Sequence, residues 1–206
     1  MPYRPMHEVV DEEDLCAIER QRRFRMVADF TVKAWATIPG VEAIGVTGGT
    51  AGKLWREMPY WRRRRGPPSL HSVDRLEMVL WLSRTDELRR LHRAFSRVLN
   101  DLDARGVPHE MAGQYLFGIV FDAASEDYLG VICTYATCPK GKPACEVPGC
   151  GAVRFLRQFA DYGAADAQAD KAKAAILFRR GRGFVASALD LPQTAPDEGW
   201  DENDVA

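Results

Sequence analysis

Two strand-sized apolar runs flank one long amphipathic stretch, and this arrangement limits the folds open to the chain more than any other feature. The first run closes the segment Arg75 to Leu82 and is apolar from Met78 onward, and the second spans Gln114 to Phe121. Between them, Asp86 to Arg105 sets Leu88, Leu91, Phe95, Val98 and Leu102 at the three-and-four spacing of one buried helical face. Gly106 follows and caps that helix, because glycine takes the left-handed conformation without steric cost. A long helix joining two strands is a crossover, and chains with such crossovers fold as a sheet with helices packed on it. The second run is apolar at consecutive positions, as a strand covered on both faces must be. The expected class is α/β (α+β), a mixed sheet with flanking helices.

The other elements follow from shorter signals. Asp11 to Thr37 reads as a helix, with Asp11, Glu12, Glu13 and Asp14 at the start, where the helix dipole favours negative charge. Leu15, Ile18, Phe24, Val27, Phe30 and Trp35 form its apolar stripe, and Pro39-Gly40 stops it. Arg20, Arg22, Arg23 and Arg25 spread round its axis and read as solvated. Val41 to Val46 reads as a strand, Ala51 to Met58 as a helical turn or more, and Tyr128 to Tyr135 as a strand. Ala152 to Tyr162 reads as helical, and Ala175 to Phe178 as a final strand. The expected division is a helical extension over 1–38, one domain over 39–185, and an acidic, disordered tail over 186–206 containing Pro192 and Pro196.

Composition narrows the setting. The 206 residues are 46% hydrophobic and 28% charged, enough apolar material for a real core. The net charge of -1 gives no global attraction to nucleic acid or to an anionic membrane. No run approaches the roughly 18 apolar residues of a membrane span, and the first ten residues lack the apolar core of a signal peptide. The expected place is the cytoplasm, where thiols stay reduced and a disulfide framework is not expected.

That setting matters because four of the five cysteines, Cys133, Cys138, Cys145 and Cys150, lie within eighteen residues at the spacing C-x4-C-x6-C-x4-C. Four thiolates can surround one tetrahedral Zn²⁺ at about 2.3 Å. Three prolines and two glycines between them supply the tight turns that point side chains inward. All four ligands would be protein thiolates, with no open coordination position, so the zinc is structural rather than catalytic. An iron–sulfur cluster, two disulfides, or four unrelated buried thiols are the alternatives.

Several segments resemble a known family. Pro39-Gly40-Val41-Glu42-Ala43-Ile44-Gly45-Val46-Thr47-Gly48-Gly49-Thr50-Ala51 looks like the first strand and glycine turn of the nucleotidyltransferase fold, the DNA polymerase β superfamily. Asp127-Tyr128-Leu129-Gly130, Cys138-Pro139-Lys140-Gly141-Lys142, Val147-Pro148-Gly149-Cys150-Gly151-Ala152 and Phe155-Leu156-Arg157-Gln158 resemble a group of bacterial nucleotidyltransferase-domain proteins. The likeness runs from about residue 38 to 160, and the cysteine segment is its most specific part. It implies a nucleotidyltransferase-like sheet with an inserted zinc-binding loop, and a glycine turn, Gly48, Gly49 and Thr50, against a nucleoside triphosphate.

The resemblance also implies two aspartates one residue apart on a strand, facing a third on a neighbouring strand, to hold two Mg²⁺ ions. Here those positions fall on Arg75, Glu77 and Phe117. Only one carboxylate survives, and as Glu. Asp74 and Glu77 are three apart and face opposite sides of a regular strand. Asp122, at the end of the second strand, is a distant contributor. Arg75 and Glu77 share a face, so an ion pair is expected where the metal would sit, with Phe117 packing opposite.

The expected function is therefore a catalytically degenerate nucleotidyltransferase-fold protein that binds zinc and serves as a nucleotide-binding or interaction module, with Gly48, Gly49, Thr50 and Arg75 toward the nucleotide. The alternative is an active Mg²⁺-dependent enzyme that uses Glu77 with Asp74 or Asp122 to move a nucleoside monophosphate to an acceptor. Arg62 to Arg65, beside Tyr60 and Trp61, offer a second contact, to nucleic acid or a protein partner, against the simpler reading of a solvated loop. Neither Ser-His-Asp nor Cys-His patterns occur, and Gly-Gly-Thr-Ala-Gly-Lys does not fit the spacing of a phosphate-binding P-loop.

Overall fold

A computed structural model describes residues 6–57, 68–107, 116–133, 153 and 155–196. Its centre is a seven-stranded mixed sheet in the order β7-β6-β5-β4-β1-β8-β9. The strands are β1 Val41–Val46, β4 Leu76–Leu82, β5 Leu116–Asp122, β6 Tyr128–Ile132, β7 Leu156–Arg157, β8 Ala175–Arg179 and β9 Gly183–Phe184. A separate ribbon pairs β2 Arg56–Glu57 with β3 Ser69–Leu70. The helices are α1 Met6–Ala36, α2 Gly48–Ala51, α3 Leu88–Ala104 and α4 Ala164–Ala172. None of the described helices is long and apolar enough to cross a membrane.

The mixed α/β class is as expected. β4 and β5 are parallel, joined by the α3 crossover, and every other pairing in the sheet is antiparallel. α3 buries Leu88, Leu91, Ala94, Phe95, Val98 and Leu102, the face that the spacing identifies. It ends as anticipated: Gly106 has φ +67°, and the amides of Gly106 and Val107 donate to the carbonyls of Asp103 and Leu102.

α1 is no outlying extension. Phe24, Val27, Val32 and Trp35 share one core with β1, β4 and α3. Trp35 is fully buried, and its indole N–H donates to Leu91 O at 2.9 Å, so its polar end is satisfied inside that core. The stripe is rotated from the expected one. Leu15 is 56% exposed, whereas Asp14, Gln21 and Arg25 face inward. Arg25 is thus the exception among arginines that read as solvated.

Other expectations need correction. The helical turn expected from residue 51 onward instead occupies Gly48–Ala51, because the chain turns directly after β1 and then extends into β2 at Arg56–Glu57. Residues 155–162 hold the short strand β7 and a Phe159–Tyr162 bridge instead of a helix, since Val131 and Ile132 recruit Arg157 and Leu156 to the sheet. The segment expected as a disordered tail is anchored over 187–196. Asp29 accepts from Ser187 Oγ and the Ala188 amide, Thr194 Oγ1 accepts from the Leu54 amide, and Arg56 donates to Pro196 O. Residues 197–206 lie outside the described residues.

The sheet has two unlike faces. α1 and α3 cover one of them. On the other, Val79, Phe117, Ile119, Phe121 and Val131 pack under Ala167 of α4, with Trp81, Tyr128, Phe159 and Tyr162 around them. The candidate site lies at one end of this second, aromatic face.

Candidate functional site

The site is assembled where β1 ends and β4 begins. The two strands are antiparallel, with Val46 opposite Met78, and the Thr47 amide donates to Glu77 O at 3.1 Å. This sets the glycine turn beside the start of β4. Gly48 has φ +57°, a conformation that costs other residues energy, and its space is taken: a β-carbon there would lie 1.5 Å from Glu77 Oε2. Any other residue at 48 would strain the backbone and force the Glu77 carboxylate to shift from its present place.

Glu77 is also held from the other side. Arg75 Nη2 lies 2.7 Å from Glu77 Oε1, and its Nε donates to the same oxygen at 2.8 Å. The guanidinium lies over the Phe117 ring, 4.1 Å from its centroid. The parallel register sets Phe117 opposite Glu77. The three positions where the resemblance expects carboxylates therefore meet, and they form a cation, an anion and a ring. The ion pair expected from the two-residue spacing forms, although regular strand begins only at Leu76.

The remaining candidates separate from this centre. Asp74 is exposed ahead of the strand. Asp122 is opposite Leu82, at the far end of β5. Five residues of strand put it about 17 Å from Phe117. There it closes a turn by accepting from the amides of Ser125 and Ala124, which hold its pKa below the ordinary carboxylate value. Neither residue adds a ligand beside Glu77. Among the described residues, no three metal-ligating side chains come together. One carboxylate already paired with a guanidinium does not fit a two-Mg²⁺ site, and no step through Mg²⁺ is derived.

The turn is braced from behind. Gln21 Nε2 donates to Gly49 O at 2.6 Å and to Gly52 O at 2.9 Å. Arg25 donates to Thr50 O and Gly52 O, and also to Leu191 O and Pro192 O. Burial lowers the pKa of this arginine, and four carbonyls compensate its charge. Thr50 is fully buried, and its hydroxyl has no hydrogen-bond partner among the described residues. It points into the protein and is not presented to a nucleotide. Gly49 is buried as well, beneath Val73, which leaves Gly48 and Arg75 as the accessible members of the expected nucleotide-binding set.

Sequence reasoning missed one side of the site. Tyr162 meets the Phe117 ring edge-on at 4.9 Å, and its hydroxyl donates to Asp170 Oδ2 at 2.6 Å. Thr47 Oγ1 donates to Asp170 O, tying the glycine turn to α4. Burial raises the Tyr162 pKa, and the Asp170 carboxylate, with Glu77 as the smallest cause, raises it further. Neighbouring Tyr128 is pushed up to about 12, mainly by burial and then by Asp166. The Asx and aromatic residues after β7 carry no pattern that joins them to the turn. The only local signal is Gly163 followed by Asp166, whose carboxylate accepts from the Gly163 amide at the start of α4.

Of the expected zinc ligands, Cys133 is described. It is buried just after β6, and its amide donates to Phe155 O at 2.8 Å. Cys138, Cys145 and Cys150 lie outside the described residues. So do Arg62 to Arg65, which fall between β2 and β3. The roots of that loop are firm: buried Asp14 accepts from Arg56 and from the Leu70 amide. Compared with models of known families, with characterised proteins and with solved structures, the chain matches none.

Proposed function

We propose that this chain is a nucleotidyltransferase-like domain that has exchanged its catalytic metal position for an internal ion pair and works as a binding or interaction module rather than a transferase. The observation that carries the reading is the Arg75–Glu77–Phe117 cluster, in which a guanidinium pairs with the one remaining carboxylate at 2.7 Å over an aromatic ring. A guanidinium supplies fixed positive charge where a divalent ion would sit, but it has no open coordination position to activate an attacking hydroxyl.

Two features support the family part of the reading. The turn-bearing strand, the strand of the expected carboxylate pair and the strand of the third position are neighbours in that order, β1, β4 and β5. The glycine turn also faces the side chain at position 77. The cysteine segment adds a structural zinc in this proposal, with Cys133, Cys138, Cys145 and Cys150 as its ligands. Nucleoside triphosphate, if held, meets Gly48 and Arg75, and the Glu77 carboxylate competes with its phosphates for both.

Calorimetric titration of zinc-replete protein with a nucleoside triphosphate, with and without Mg²⁺, tests this. The expected result is that Mg²⁺ leaves the titration unchanged. Binding that appears only with Mg²⁺ would restore the enzyme reading.

A further inference from the structure

The aromatic face of the sheet opens into a hollow at the end remote from the glycine turn. Four residues stand there in one cross-strand row. Phe121 of β5 is opposite Trp81 of β4, Trp81 is opposite Ala43 of β1, and Ala43 is opposite Arg179 of β8. Residues directly opposite one another project from the same face of a sheet. The row therefore runs phenyl ring, indole, methyl, guanidinium.

The methyl makes the hollow. Neighbouring strands lie about 4.8 Å apart, so Trp81 and Arg179 arise about 10 Å from each other with only the Ala43 side chain between them. A trough of about 500 Å³ occupies this gap, and Ala123, Ala172 and Ala174 keep its border low. That volume is in the range of small-molecule sites. The Phe121 ring stacks on the indole from the β5 side, with centroids 6.0 Å apart, and the indole borders the trough on its β1 side.

The charges around the trough are matched except for one. Lys171 pairs with Glu126 at 3.0 Å and lies 4.9 Å from the Phe121 centroid. Arg180 donates to Val41 O at 2.7 Å and Ile38 O at 2.8 Å, and lies 3.8 Å from Glu42. Arg179 is exposed, and its guanidinium has no partner among the described residues. Three cations and two carboxylates line the trough, which leaves one positive charge, at Arg179.

We propose that this trough binds a small aromatic carboxylate, its ring resting on Trp81 over Ala43 and its carboxylate paired with Arg179. A single carboxylate matches the single unpaired charge, and a guanidinium can take it through two parallel hydrogen bonds. A flat ring gives the indole a stacking partner. Glu42 and Glu126 oppose a polyphosphate or any other ligand of high negative charge. Trp81 lies four residues along β4 from Glu77, about 13 Å away, so this site does not depend on the function proposed above.

Titration of the isotope-labelled full chain with phenylacetate to about 10 mM, followed through its amide NMR shifts, tests the proposal, since that concentration reveals millimolar affinity. The shifts should saturate and centre on Ala43, Trp81 and Arg179. Arg179→Gln should weaken binding about tenfold or more, because the carboxylate loses a charge-assisted pair. Trp81→Leu should weaken it about threefold to tenfold. Phenylacetamide, which lacks the charge, and cyclohexylacetate, which lacks the flat ring, should each bind at least about fivefold more weakly. Arg97→Gln, at an exposed arginine of α3 on the other side of the sheet, should leave affinity unchanged. Arg179 is exposed, so its replacement spares the core, and circular dichroism of each variant checks the fold. Absence of saturable shifts at the trough, or native affinity in Arg179→Gln, would overturn the proposal. Equal binding of phenylacetamide would also overturn it, because the trough would then read the ring alone. Tighter binding of inorganic phosphate at the same residues would overturn the choice of a carboxylate.

Discussion

Glu77 and Gly48 occupy adjoining space so completely that a β-carbon on the glycine would fall 1.5 Å from the carboxylate oxygen. The turn and the strand are therefore mutually specified. Gly48→Ala should destabilise the protein by about 2 kcal/mol or more, part from the positive φ and part from the collision. Adding Glu77→Ala should recover the collision part alone. Urea unfolding of the single and double variants separates the two, and an unaffected Gly48→Ala protein would show that Glu77 does not rest on the turn.

Arg75 is exposed enough that its ion pair and ring contact together contribute only about 1 kcal/mol, so Arg75→Met should unfold almost like the native protein. Its larger effect should be on metal. Arg75→Asp sets a second carboxylate beside Glu77 and should create Mg²⁺ binding detectable as a Mg²⁺-dependent rise in Tm. Phe117→Asp would supply a third, but Phe117 is in the aromatic core and its loss costs about 3–5 kcal/mol, so the single variant is the cleaner test. A native protein whose Tm already rises with Mg²⁺ would contradict the ion-pair assignment.

Arg25 joins four carbonyls from two distant segments. Arg25→Met should cost about 3 kcal/mol, because several buried carbonyls lose their donor at once. Hydrogen exchange should show faster exchange both in the glycine turn and in residues 187–194. Loss of protection in only one of these would mean that the guanidinium does not couple them.

The tyrosines make the fold sensitive to alkali. Tyr128 and Tyr162 hold their protons more tightly in the folded state than in the unfolded chain. Below pH 10 both states are protonated and the contribution is complete. Above it, the unfolded chain releases protons first, so stability should fall as pH rises from about 10 toward 12, by up to about 1.4 kcal/mol per pH unit for each tyrosine. The Tyr128 hydroxyl is buried without a hydrogen-bond partner among the described residues. Tyr128→Phe should therefore be neutral or stabilising at pH 7 and should flatten the alkaline slope. Urea unfolding across pH 8 to about 11.5 measures both.

The cysteine loop should carry about one zinc per chain in protein purified under reducing conditions. Cys138→Ser or Cys145→Ser should remove the metal and lower Tm. Metal analysis that finds neither zinc nor iron would remove the basis for the site.

How much of this was legible depended on whether a residue announces its place by its own chemistry. α3, β4 and β5 were readable because apolar periodicity records burial directly. α1 was readable as a helix but not in its rotation, since Asp14, Gln21 and Arg25 are inward-facing polar residues that break the apolar stripe. α4 escaped because Ala167 is its one buried residue, too little to mark a face. In the site, Arg75 and Glu77 were legible from strand alternation. Tyr162 and Asp170 were not, since they reach it through a turn with no local signature. The anchored stretch 187–196 carries no sequence signal for a similar reason: many of its contacts are made by backbone carbonyls and amides, which any sequence possesses.

The Arg25 clamp gives the order of synthesis a physical meaning. The arginine leaves the ribosome well before two of its carbonyl partners, which follow 166 and 167 residues later. Until then, a growing chain that folds around β1 and β4 must leave half of a buried guanidinium in water or keep the turn open. The last anchored residues thus act as a completion signal: the geometry at Gly48 becomes fixed only when nearly the whole described chain is available to hold it.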